Sequence, residues 1–228
     1  MPQSNLLEHT NKYVAFGMPF ILAPSGSMAN NGALTLGTAL PTTYANAYVY
    51  LPANAIAAGS AAGWYFAQFS STTVGIVYNN VYTSGYPSAP PAPVPFVTTG
   101  PGAYTGVTSP VTGPSVAIDP NTLGPNGWIY CMFGGVVPNN VNNKTLTVTL
   151  AGATVYSNTV TTASSITSRV EVALRGSNAA VGMSNANTYA SPALQTTPPP
   201  AFGMQLQLAV ATDFVVIEGF FAQFFYGA

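Results

Sequence analysis

An all-β fold, an antiparallel jelly-roll-like β-sandwich with an extended N-terminal arm, is predicted by three observations. Lys144-Thr-Leu-Thr-Val-Thr-Leu150 alternates strictly, with Leu146, Val148 and Leu150 on one face and threonines on the other. Arg169–Arg175 and Phe202–Val210 alternate in the same way. A two-residue period of this kind belongs to a strand with one dry and one wet face. Helix signals are nearly missing. No long apolar stripe recurs at 3.6-residue spacing, and only Ala53–Ala62, after Pro52, offers a turn or two of helix.

In chain order, residues 1–30 are read as an N-terminal arm or, alternatively, as carrying the first strand over Tyr13–Leu22. Pro2 to Lys12 is polar and holds the single histidine, His9, whereas Tyr13–Leu22 is apolar without alternation. A chain end of this type is ordered when something ties it down. Leu6, Leu7, Tyr13, Phe16 and Phe20 are therefore expected to contact a partner. Residues 31–228 are expected to form the sandwich, with further strands near 33–37, 46–51, 63–69, 74–82, 128–133, 153–161 and 214–226. Ala151-Gly152 reads as a hairpin turn, and Asn31-Gly32 and Asn126-Gly127 are turn signals of the same kind. Residues 85–127 hold ten of the 20 prolines. Proline cannot donate to a ladder, so this Pro-rich excursion should be extended loop with one or two short edge strands. No repeat of propeller length occurs.

Composition narrows the function. The chain has four Lys+Arg and five Asp+Glu, 4% charged residues, where a typical soluble domain has about 25%. Hydrophobic residues make up 48%, too many for a disordered chain. Four scattered cations cannot make a nucleic-acid footprint. A net charge of −1 favours association. No apolar run approaches the roughly 18 residues of a membrane helix, and no secretory leader is read at the N-terminus. Neither nucleic acid nor membrane is expected as a partner. The one cysteine, Cys131, cannot form an intramolecular disulfide and is expected in the core.

The chemical inventory is small. One histidine excludes a two-His metal site and leaves a Ser-His-Asp triad dependent on His9. The carboxylates Glu8, Asp119, Glu171, Asp213 and Glu218 show no paired spacing of the glycosidase kind. Gly100–Gly106 has the wrong spacing for a phosphate loop. No catalytic residue, metal or cofactor is expected. Glu218 stands out because Phe214–Tyr226 around it is apolar on both faces. A carboxylate there should lie at a subunit interface or pair with an arginine, and Phe221 is expected at the same interface.

Asn31-Gly-Ala-Leu-Thr-Leu-Gly-Thr-Ala-Leu-Pro-Thr-Thr-Tyr-Ala45, Tyr48-Val-Tyr-Leu-Pro-Ala53, Ala61-Ala-Gly-Trp-Tyr-Phe66 and Ser70-Ser-Thr-Thr-Val-Gly-Ile-Val-Tyr78 resemble structural proteins of tailed bacteriophage particles. The Lys144–Val148 hairpin strand and Asp213–Gly219 are similar in style, so the resemblance covers residues 31–82 and 128–226. It implies a β-sandwich, trimeric and non-enzymatic protein of the virion, made in the bacterial cytoplasm. A capsid decoration (cement) protein is the first expectation, with the major capsid protein or another virion protein as partner and a homotrimer as assembly. Each bound copy would add binding free energy to the expanded shell. The alternative is a head-fibre or tail-appendage protein that grips bacterial-surface glycans through loops near 78–86 and 185–189. A polysaccharide depolymerase is disfavoured by the scarcity of histidine and carboxylate.

Overall fold

The computed structural model describes residues 12–82, 102–118, 126–174, 180–183, 188–190 and 201–225. Leu6, Leu7 and His9, and most of the Pro-rich excursion, lie outside them. The described strands are β1 (Lys12–Phe16), β2 (Phe20–Leu22), β3 (Gly26–Met28), β4 (Ala33–Leu36), β5 (Ala47–Leu51), β6 (Gly63–Phe69), β7 (Val74–Tyr82), β8 (Gly102–Tyr104) and β9 (Val111–Ala117). They continue with β10 (Trp128–Val136), β11 (Lys144–Leu150), β12 (Ala153–Val160), β13 (Ser165–Leu174), β14 (Ala180–Met183), β15 (Thr188–Ala190), β16 (Ala201–Leu208) and β17 (Val215–Phe225). The fold is all-β and sandwich-like. Among the described residues the sole helical element is one 3-10 turn, Asn30–Gly32.

Thirteen strands form one curled sheet in the order β15-β14-β13-β10-β17-β2-β5-β6-β7-β4-β3-β8, with β1 also paired to β17. Four form a second sheet, β12-β11-β16-β9. Both β1 and β2 lie along the same strand: Lys12–Phe16 run antiparallel to Phe220–Phe224, and Phe20–Leu22 to Val215–Ile217. The β2–β5 pair is parallel, whereas the hairpins around it are antiparallel.

Two apolar cores result. The inner core fills the space between the sheets. Leu146, Val148 and Leu150 of β11 and Phe202, Met204, Leu206 and Leu208 of β16 meet Ile129, Cys131 and Phe133 of β10 and Val170, Val172 and Leu174 of β13. Trp64 Nε1 donates to the Thr112 carbonyl at 2.7 Å and so ties the two sheets by a polar contact as well. The second core lies on the opposite face of β2, β5, β6 and β7. There Ile21, Val49, Tyr65 and Val77 are covered by Leu36, Leu40, Tyr44 and Ile56 from connecting segments, and by Met28 and Tyr104 from the curled end of the sheet. Strands β5 and β6 are thus dry on both faces, and their sequences are accordingly almost continuously apolar.

Two expectations are corrected here. Residues 53–62 are not helical. Asn54 (φ 64°) and Gly59 (φ 84°) take left-handed conformations, and the Gly59 amide donates to Asn54 Oδ1 at 2.8 Å. Two left-handed residues in six leave no continuous helical run. Phe20, expected to contact a partner, is fully buried in the chain's own core. It stacks on Tyr48 at 5.4 Å and meets Trp64 and Tyr82 edge-on. The Pro-rich excursion contributes β8 and β9, each at the end of its sheet. Pro114 lies in β9 opposite a register shift at Gly203, where a missing amide donor is tolerated.

Candidate interaction surface

The half of the large sheet made of β13, β10 and β17 has an inner face in the core and an outer face exposed. On β10 the odd residues Ile129, Cys131 and Phe133 point inward. The even residues Trp128, Tyr130 and Met132 therefore point outward. Register places Trp128 opposite Phe225 and Ala173, Tyr130 opposite Gln223 and Glu171, and Met132 opposite Phe221 and Arg169. Trp128 is 43%, Met132 48% and Phe225 37% exposed. Three large apolar residues on one face of the sheet are more than the scattered apolar exposure of an ordinary surface.

This face is ordered by its own contacts. Tyr130 meets Phe221 edge-on at 6.4 Å, and the Arg169 guanidinium lies 4.9 Å from the Tyr130 ring centroid. Arg169 also pairs with Glu171 at 2.8 Å. The pair is two residues apart on β13 and cancels its own charge, so the face is neutral and aromatic. An exposed pair of this kind adds little to stability. Its use is to hold the guanidinium over the ring.

A β-bulge sets the edge of the face. Along β17, Val215 and Ile217 point into the inner core, and Val216 into the second core. The partner of Gly134 is Gly219 and that of Gly135 is Ile217, which leaves Glu218 as the extra residue. After it the phase reverses: Phe220, Ala222 and Phe224 point inward, and Phe221 turns outward into the exposed face. Gly135 is required at this point, because a Cβ there would lie 2.1 Å from the Val216 carbonyl oxygen. Glu218 is exposed, and it accepts a 2.7 Å hydrogen bond from the Tyr44 hydroxyl rather than pairing with an arginine. Burial, with the Glu218 carboxylate beside it, pushes the Tyr44 phenol well above its usual range.

Of the expected contact residues, Phe221 lies within the outer face and Glu218 at its edge. Tyr13 and Phe16 lie on β1, in register with Gln223 and Phe220. Trp128, Tyr130 and Met132 were not anticipated. The segment 128–133 reads as core around Cys131, but its alternation already assigns every second large residue to the other face.

The reactive groups are otherwise occupied. Cys131 is fully buried, and desolvation pushes its thiol well above the usual range. Asp213 accepts hydrogen bonds from Asn140 and Asn142 at 2.7 and 3.1 Å. No group of three or more His, Cys, Asp or Glu that could hold a metal occurs among the described residues. No protein-family model matches the chain, and no curated protein matches it in sequence.

Proposed function

We propose that this chain is a structural protein of a phage particle, a capsid decoration protein that clamps neighbouring shell subunits on a jelly-roll-like, homotrimeric scaffold. The observation that carries the reading is the outer face of β13, β10 and β17. Trp128, Met132, Phe221 and Phe225 form an aromatic, neutral surface, of the composition found at the desolvated centre of protein interfaces. The sequence resemblance to virion proteins supplies the setting. The low surface charge suits a protein that spends its life packed against others. Glu171 and Glu218, the described carboxylates outside the core, are each engaged by a neighbouring side chain, which favours binding over catalysis at this face. Leu6 and Leu7 are proposed as further contacts to the major capsid protein.

A second reading, an appendage that grips cell-surface glycans, is favoured by the exposed Trp128 beside Tyr130, since aromatic faces stack on sugar rings. Quantifying the protein in purified virions separates the two. Hundreds of copies fit decoration of a shell lattice; a few dozen or fewer fit an appendage and overturn the decoration reading.

A further inference from the structure

The segment that leads into β11 holds a buried amine against a carboxamide, and the carboxamide against a buried carboxylate. Lys144 is fully buried, on the inward-pointing parity of Leu146 and Val148, and stands opposite Val160 and Leu208. Its Nζ lies 2.5 Å from Asn140 Oδ1, 3.2 Å from the Asn140 carbonyl oxygen and 3.1 Å from that of Thr161. Asn140 Nδ2 in turn donates to Asp213 Oδ1 at 2.7 Å, and Asn142 Nδ2 donates to Oδ2 at 3.1 Å. Asp213 is 4% exposed. Among the described residues no carboxylate forms an ion pair with Lys144; the ion pair present is Arg169–Glu171.

We propose that Lys144 and Asn140 become joined by an intramolecular isopeptide bond, formed by the chain itself with Asp213 as the proton-transfer group. The amine in its neutral form attacks Asn140 Cγ. A C–N bond forms, and the carbonyl electron pair moves onto Oδ1. Once the C–N bond has formed, Nζ and Nδ2 are bonded to the same carbon, and Asp213, 2.7 Å from Nδ2, takes a proton from Nζ in that adduct and delivers it to Nδ2. The carbonyl re-forms, the Cγ–Nδ2 bond breaks, and ammonia leaves with the electron pair of that bond. Overall a lysine ammonium and a carboxamide become a secondary amide and an ammonium ion. The exchange needs no oxidant, reductant or cofactor.

Three features favour the step. The reacting groups are held together by the fold, which removes the entropic cost of a bimolecular encounter. Desolvation lowers the Lys144 amine below its usual range, against the opposing field of Asp213, and so raises the share of the nucleophilic neutral form. The carboxylate lies at hydrogen-bond distance from the nitrogen that must be protonated to leave. A lysine that stays an ammonium held by three oxygens would keep the same contacts but lose no atoms. The proposal is independent of what the outer face binds.

The test is the intact mass of the purified, folded full-length chain. The expected value is lighter than the sequence mass, for whichever N-terminus the protein carries, by one ammonia. Peptide mapping should then show no tryptic cleavage after Lys144 and a branched peptide linking it to Asn140. Lys144→Arg and, separately, Asp213→Ala should restore the full mass of their own sequences. An unmodified mass for the folded wild-type protein overturns the proposal without recourse to any variant. So does an ammonia loss that maps to Asn31-Gly32 or Asn126-Gly127, where a backbone imide would account for it.

Discussion

The Tyr44 hydroxyl donates to Glu218 Oε1 at 2.7 Å across 174 residues of sequence. This one bond joins the segment that covers the second core to the bulge at which β17 reverses phase. On one side of it the large sheet is dry on both faces; on the other, its outer face is partly exposed, with no second layer among the described residues. Tyr44 is 8% exposed, so its hydroxyl gives up water for the carboxylate.

Tyr44→Phe is expected to lower stability by about 1–2 kcal/mol, the range for a hydrogen bond to a charged acceptor at a partly exposed site. Urea unfolding should show a lower midpoint with an unchanged slope. An unchanged midpoint would mean that water replaces the contact at no cost.

Gly135→Ala should be more disruptive than its one methyl suggests. The added Cβ would meet the Val216 carbonyl oxygen at 2.1 Å and the Ile217 Cα at 3.2 Å. Backbone atoms cannot rotate away, so a loss of about 1–3 kcal/mol is expected from the forced shift of the β10–β17 ladder. Gly134→Ala, whose nearest contact is a Thr167 methyl at 3.7 Å, serves as the control and should cost clearly less.

Tyr104 and Cys131 offer opposite tests of buried polarity. The Tyr104 hydroxyl is buried without a hydrogen-bond partner among the described residues, so Tyr104→Phe should be neutral or stabilising, by up to about 2 kcal/mol. Cys131→Ser places an unpaired hydroxyl in the inner core and should cost about 1–3 kcal/mol. A stabilised Cys131→Ser protein would show that the thiol pocket is wetter than its full burial implies.

Alkaline pH should unfold the protein early. Burial raises the pKa values of Tyr44, Tyr104 and Cys131 above their ordinary ones. The folded state thus keeps protons that the unfolded chain releases. Their stabilisation is complete below the ordinary thiol and phenol values of about 8.5 and 10, and is lost as pH rises toward the folded values. Thermal melting from pH 7 to 11 should show a falling midpoint, and Tyr104→Phe should flatten the upper part of the fall. A midpoint that rises over this range would contradict the assignment.

Much of the sheet was legible in the sequence because alternation is local. Strands β11, β13 and β16 follow their patterns, and Ala151-Gly152, with φ of 50° and 79°, makes the expected hairpin turn. The phase reversal of β17 was not legible. A bulge moves the apolar set from one parity to the other, so Phe220–Phe225, with one dry face, reads as a continuation of Val215–Ile217, which is dry on both faces. The second core was hidden for a related reason: its cover comes from segments such as 37–46, whose apolar residues have no period. Lys144 carried an unused signal, since it shares the parity of Leu146 and Leu150. The partner of Glu218 had no local signal at all, because nothing near residue 218 points to residue 44.

The most direct measurement is binding of the Trp128→Ser/Met132→Ser protein to shells that lack the native one. Both side chains are exposed and outside the cores, so the variant should keep wild-type circular dichroism and melting temperature. If the outer face of β10 is the contact, co-sedimentation with shells should fall at least tenfold in apparent affinity, as expected when aromatic anchors at an interface centre are lost. A folded variant that decorates shells with unchanged affinity would contradict the central claim.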